Sequence, residues 1–242
     1  MSKVISRRHS SQIVLAALSG VLLLAATARA EPKTWNLAND FPLTKLNPAP
    51  DKYGHKSVWT YMYSNLKKPG YYLKLSQFYD AATEESTCGV KEFYDWNKTK
   101  SNLFGTPAIF FNAGETVEPN TATANRCNPD TTFPAKTVFM HPQFSIGADA
   151  VVRWKSTVTG MVAVSGSVQC TDPHITGISW ELDKGATVVI GPTETYEDNL
   201  MPFGPTAVSV VKGEFLYLKV GLAEGANGAS DTTAVNWTIT SS

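Results

Sequence analysis

Charge, cysteine and helical periodicity are all scarce in this chain. Charged residues make up 17% of its 242 positions, and 21 basic residues balance 21 acidic ones. No basic face stands out, which excludes the electrostatic footprint of a nucleic-acid binder. No stretch keeps apolar residues at i, i+3, i+4 and i+7 between capping residues, which excludes a helical architecture. The sequence has no H-E-x-x-H, no G-x-S-x-G elbow and no glycine-rich phosphate loop. With them go the signatures of zinc proteases, α/β-hydrolases and nucleotide-binding folds. The longest apolar run, Ile13 to Ala26, falls short of the ~20 residues that a membrane-spanning helix needs.

That run has its own context. Lys3, Arg7 and Arg8 precede it, and the small-x-small triplet Ala28-Arg29-Ala30 follows. This is the layout of a secretory signal peptide of bacterial type, with cleavage expected before Glu31. Residues 1–30 are therefore read as a leader, and residues 31–242 as one domain that works secreted or in the periplasm. The leader holds four basic residues and no acidic one, so the remaining chain is mildly acidic. After Arg7-Arg8 come His9-Ser10-Ser11-Gln12 rather than an apolar pair, which favours export of an unfolded chain over the twin-arginine route.

Three cysteines are present: Cys88, Cys127 and Cys170. An oxidising compartment favours pairing. Cys88 and Cys127 both lie in polar, loop-like stretches, and a bridge between them would staple a long irregular segment, worth ~3–4 kcal/mol in the loop-entropy view. Cys170 would then be free or buried. The odd count leaves the pairing open.

Strand signals recur along the rest of the chain. Alternating or β-rich runs are read at Trp35–Phe41, Val58–Tyr63, Tyr71–Leu75, Pro107–Phe111, Thr137–Met140, Ala150–Trp154, Met161–Val168, Gly177–Leu182, Thr187–Ile190, Ala207–Val211, Glu214–Val220 and Ala234–Thr240. Asp183-Lys184-Gly185 reads as a turn, and Lys212-Gly213 as a tight hairpin. Short strands at this spacing, with turn residues between them, predict an all-β fold: a single antiparallel β-sandwich, jelly-roll-like. Between Ala81 and Ala135 polar loops dominate.

Several of these segments carry a resemblance. Trp35-x-Leu37-x-x-Asp40-Phe41, Asn47-Pro48 and Trp59-x-Tyr61 form one group. Phe139-Met140-His141-Pro142 and Val151-Val152-Arg153-Trp154 form a second. Gly160 with Val162-x-Val164-x-Gly166, and Val235-x-Trp237-x-Ile239, complete the pattern. Together they resemble a loosely defined group of secreted bacterial β-sandwich domains that look like carbohydrate-binding modules. The resemblance implies a sandwich fold and a glycan partner. It supplies no catalytic residues. Gln143 stands after His141-Pro142 where a glycine is usual in that group, and the cysteine-containing insertion is a further departure.

The residues themselves point the same way. Strand alternation puts Trp59, Tyr61 and Tyr63 on one face. Exposed, they would form a flat stacking platform for sugar rings; turned inward, they would be core. Trp96, between Asp95 and Asn97, combines a ring with polar groups for hydroxyls, or else anchors a short strand. Catalysis has weaker support. His55, His141 and His174 are scattered. The carboxylates Glu84, Glu85, Glu181, Asp183, Glu194, Glu197 and Asp198 sit where solvated charge is expected, and sequence does not pair them as a glycosidase requires. Glu194-x-x-Glu197-Asp198-Asn199 and Asp231 with Thr232 could supply oxygen ligands for a structural calcium, against a solvated-loop reading; no other cofactor is implied. The expectation is a secreted, non-enzymatic sandwich whose partner is a glycan or cell-surface polymer, with no nucleic acid and no membrane span. A self-assembling structural protein is the first alternative and a secreted hydrolase the second. The oligomeric state is left open.

Overall fold

The computed structural model describes residues 31–68, 70–81, 91–99, 105–119, 130–144 and 147–242. The expected leader, Cys88 and Cys127 all lie outside these residues, as do Glu84 and Glu85. Among the described residues there is no helix. The strands are β1 (Thr34–Asn36), β2 (Trp59–Ser64), β3 (Tyr72–Lys74), β4 (Gln77–Asp80), β5 (Phe93–Asn97), β6 (Ala108–Asn112), β7 (Thr137–His141), β8 (Ala150–Lys155), β9 (Gly160–Cys170), β10 (Ile178–Lys184), β11 (Thr187–Thr195), β12 (Met201–Val210), β13 (Phe215–Leu222) and β14 (Thr233–Ser241).

They form the β-sandwich that the sequence predicts. The larger sheet runs β12-β9-β14-β7-β6-β5-β4, with β1 also paired to β14; the smaller runs β11-β10-β13-β8-β2-β3. All pairings are antiparallel. Alternation explains the core. Val162, Val164 and Val168 of β9 and Val235, Trp237 and Ile239 of β14 meet Ala150, Val152 and Trp154 of β8 and Leu216, Leu218 and Val220 of β13, all buried. Each such buried side chain contributes roughly 1.5–3 kcal/mol. Trp35 packs edge-on to Trp154 at 5.2 Å and Trp59 to Trp237 at 5.4 Å.

A second apolar cluster lies on the outer side of the larger sheet. Phe93, Phe110 and Phe139 of β5–β7 point away from the main core and are roofed by Phe133. Asn112 holds that roof down by donating from Nδ2 to the carbonyls of Glu115 (2.8 Å) and Phe133 (3.0 Å). The roof ends at Pro134, and beyond it no described residue covers the groove side of the sheet's outer face.

Several local expectations need correction. The opening strand stops at Asn36, whose side chain accepts from the Asn39 amide and turns the chain. The run 214–220 follows a turn at Lys212-Gly213, but β12 and β13 belong to different sheets, so that turn crosses between layers instead of closing a hairpin. β11 and β12 are longer than their apolar runs. Each continues through a Gly-Pro pair, Gly191-Pro192 and Gly204-Pro205, seated in a bulge where the register shifts. Both glycines have positive φ, 93° and 75°, which an L side chain adopts poorly. These are edge strands, and a bulge with a proline is how an edge is made a poor template for another copy. That feature disfavours assembly through the β11 and β12 edges.

Candidate functional site

The aromatic stripe does not form a surface. Trp59 and Tyr61 are fully buried and Trp96 is 3% exposed. Tyr61 stacks on Trp96 with the rings 8° from parallel, and Phe41 leans on Tyr61 at 4.8 Å. Only Tyr63 is half-buried, with the Lys98 ammonium 5.2 Å above its ring. The cause is the phase of β2. Its odd positions face the opposite sheet, and Trp59 lies across from Trp154 of β8, itself in the core. Thr60 and Met62, on the other face, are buried too, so no polar residue in the strand signals which side is wet. The three rings expected as a sugar platform, and the separate candidate Trp96, are thus interior packing or, for Tyr63, the flank of it.

Trp35 and Trp59 find polar partners at the core's rim. Trp59 Nε1 donates to Asp40 Oδ2 at 3.0 Å, and Trp35 Nε1 to Asp51 Oδ2 at 2.7 Å. Asp51 also accepts from His55 Nδ1 (2.7 Å) and from the amides of Tyr53 and His55. Burial pushes the Asp51 carboxyl up, but the hydrogen bonds from His55 and Trp35 outweigh it and hold it below its ordinary value. Asp40 has fewer donors, and there burial prevails and raises its pKa. These carboxylates pin the loop of residues 38–58 to the core.

The other predicted residues are also accounted for. His141 is buried, its Nδ1 bonded to the Pro142 carbonyl at 2.7 Å, and burial pushes its pKa down. His174 faces Asp130 at 3.4 Å. Cys170 is a buried free thiol, its pKa pushed up to about 12 by burial. Asp231 accepts from the Thr176 and Gly177 amides and the Thr176 hydroxyl, which ties two loops together. Glu197 bonds Asn199. Among the described residues no three histidine, cysteine or acidic side chains gather as a metal cage would require.

Two outer faces remain. That of the smaller sheet carries the charge. Across it Asp183, Tyr217, Arg153 and Thr60 lie side by side on β10, β13, β8 and β2. The Lys219 ammonium is clamped between Glu181 and Asp183. Burial pushes the Lys219 pKa down, but its bonds to the two carboxylates outweigh this and raise it. The Arg153 guanidinium lies 4.4 Å over Phe215, and Tyr72 covers Tyr217 at 5.0 Å. Rings and charges there are taken up by one another.

The larger sheet's outer face is different. β14 is flanked on one side by β9 along its whole length. On the other side it pairs with β7 at Thr233–Val235 and with β1 at Thr238–Thr240. Where its partner changes from β7 to β1 the sheet has a gap, and there a groove of about 390 Å³ opens. Asn36 and Asn39 line it from the β1 side, Thr137 and Lys136 from the β7 side, Asn236 from β14, Ser167 and Gln169 from β9, and Leu200 from the β11–β12 loop. Asn36, Thr137, Ser167, Gln169 and Asn236 each adjoin buried strand neighbours in the outward phase. Asn36 Nδ2 is held by Thr238 Oγ1 at 2.9 Å, and Gln169 Nε2 by the Asp198 carbonyl at 3.1 Å. Lys136 is turned to the Ala113 carbonyl. Among the described residues the lining contains amides and hydroxyls, no carboxylate and one engaged cation.

No protein-family model and no curated protein matches the sequence. Carbohydrate-binding modules are among the solved structures that the chain resembles. One is the CBM51 from Clostridium perfringens GH95 in complex with methyl-galactose: 14% identity, TM-score 0.34, over 55% of this chain and 92% of that one. Another is a family 35 carbohydrate binding module from Clostridium thermocellum, at 9% identity and TM-score 0.30, over 53% and 94%. A β-glucosidase from Kluyveromyces marxianus aligns over 84% of this chain and 18% of its own length, with 8% identity and TM-score 0.29. None of these likenesses carries an argument about what this chain binds.

Proposed function

We propose that this protein is a secreted, non-enzymatic glycan-binding β-sandwich, and that its sugar site is the amide-lined groove between β7, β14 and β1. The observation that supports it is the lining. Asn36, Asn39, Asn236 and Gln169 offer both donors and acceptors, Ser167 and Thr137 add hydroxyls, and Leu200 (59% exposed) adds an apolar wall. A sugar presents that mixture: hydroxyls around its rim and C–H groups on its faces. With Lys136 engaged and no carboxylate in the lining, the groove suits a neutral ligand better than an anion or a metal.

The test is a binding screen of the purified protein against neutral polysaccharides, followed by titration of Asn236→Ala and Ser167→Ala. Each lost hydrogen bond is worth ~0.5–1.5 kcal/mol, or roughly a threefold to tenfold loss of affinity. Circular dichroism should show both variants folded. Retention of full affinity in the double variant would remove the site from this groove.

A further inference from the structure

We infer that the ligand is an extended chain rather than a single sugar, its next units lying in a second groove on the far side of Asn39. This rests on the reading of the first groove as a glycan site. Asn39 lines both grooves, so they adjoin at this residue. The second groove, about 280 Å³, is shaped by the loop that follows β1. Phe41, Pro42, Leu46 and Pro50 form its apolar wall, beside Thr44, Lys52 and the carboxylates of Asp40 and Asp51. Leu46 is 49% exposed.

Two features fit this groove to a polymer. The first is rigidity. Asp40 and Asp51, which also line it, accept from the core indoles of Trp59 and Trp35 and from the amides of Lys52, Tyr53 and His55. Both carboxylates are thereby engaged in holding the loop, and the groove stands preformed before a ligand arrives. The second is complementarity. The first groove offers hydrogen bonds and the second offers apolar contact. A linear neutral glycan presents hydroxyl edges and C–H faces in succession along its length. One sugar unit can use one groove, whereas a chain uses both. Together the grooves fall well inside the range of about 300–1,000 Å³ that encloses a drug-sized molecule.

The experiment is calorimetric titration of the purified protein with cello-, laminari-, xylo- and manno-oligosaccharides of increasing length, from the monosaccharide to the hexamer. For the series that binds, affinity should rise at least tenfold from monomer to tetramer and then level off. Leu46→Asp should remove that gain and leave monomer binding unchanged. Thr44→Trp, which blocks the second groove from an exposed position, should do the same, so the outcome does not hang on one variant. Asn236→Ala should weaken every length by the same factor. Saturable binding with equal affinity at all lengths would overturn the inference and leave the glycan site standing. So would a length gain that survives both Leu46→Asp and Thr44→Trp. Failure of every series and every length to bind would overturn the glycan reading itself, and this inference with it.

Discussion

The two outer faces of the sandwich handle polarity in opposite ways. The smaller sheet gathers Lys219, Glu181, Asp183 and Arg153 with the rings of Phe215, Tyr217 and Tyr72, and closes them on one another. The larger sheet gathers uncharged amides and hydroxyls around a gap and leaves them open. The face rich in aromatics and charge thus serves the fold. A face of asparagine, serine and glutamine reads as bland in sequence and carries the groove. What separates them is charge: ion pairs and a cation–ring contact hold the first face together, whereas the second is lined mainly by uncharged groups around a gap.

The contrast can be attacked from either side. The largest effect should come from Lys219→Met, which leaves two carboxylates facing each other with Asp183 only 7% exposed. Breaking a buried pair from one side costs ~3–5 kcal/mol, and the partial exposure of Glu181 places this case at the lower end. Urea unfolding should show the loss, and glycan affinity of the folded variant should be unchanged. Lys219 has a raised pKa, so its contribution is complete below the ordinary lysine value and disappears only as pH climbs through the higher folded one.

Next comes Trp35→Phe, which deprives Asp51 of a charged hydrogen bond worth ~1.5–3 kcal/mol. Asp51 has a lowered pKa, so its stabilisation is present above the ordinary aspartate value and is lost as pH falls through the folded one. Acid titration below about pH 4 should therefore cost the natural protein more stability than Asp51→Asn, monitored by tryptophan fluorescence. Asp40→Asn sharpens the point. The raised pKa of Asp40 means that folding disfavours its ionised form, so the substitution should change stability at neutral pH by no more than ~1 kcal/mol while the amide oxygen still accepts from Trp59.

The smallest effect is expected from Tyr217→Ala on binding. It should leave glycan affinity within twofold of the natural protein, measured beside Asn236→Ala in the same titration. Equal losses in the two variants would reverse the assignment of the faces.

Most strands were legible because each has one buried face, and alternation reports that directly: Val162, Val164 and Val168, or Leu216, Leu218 and Val220. Legibility failed where a strand departs from its usual chemistry. β11 and β12 run on through Gly-Pro, which ordinarily ends a strand, because a bulge on an edge tolerates it. In β2, alternation groups Trp59, Tyr61 and Tyr63 but carries no sign of direction, and burial of Thr60 and Met62 removes the only local clue. The groove was invisible for another reason. Asn36, Thr137, Gln169 and Asn236 converge only because β14 changes partners, and no local pattern encodes that exchange. The outward phase of Asn36 and Asn236 was the nearest available signal.

The placement of β14 has a consequence for the timing of assembly. It is the last of the fourteen strands among the described residues, yet it stands inside the larger sheet with β9 on one side and β7 and β1 on the other. Its pairing with β1 joins residues about two hundred positions apart, a separation that makes folding slow. Until residues 233–241 have emerged, the sheet has no middle and Asn36 has no Asn236 to face. The groove therefore exists only once β14 has inserted between its partners, and a chain clipped before Thr233 would lack it.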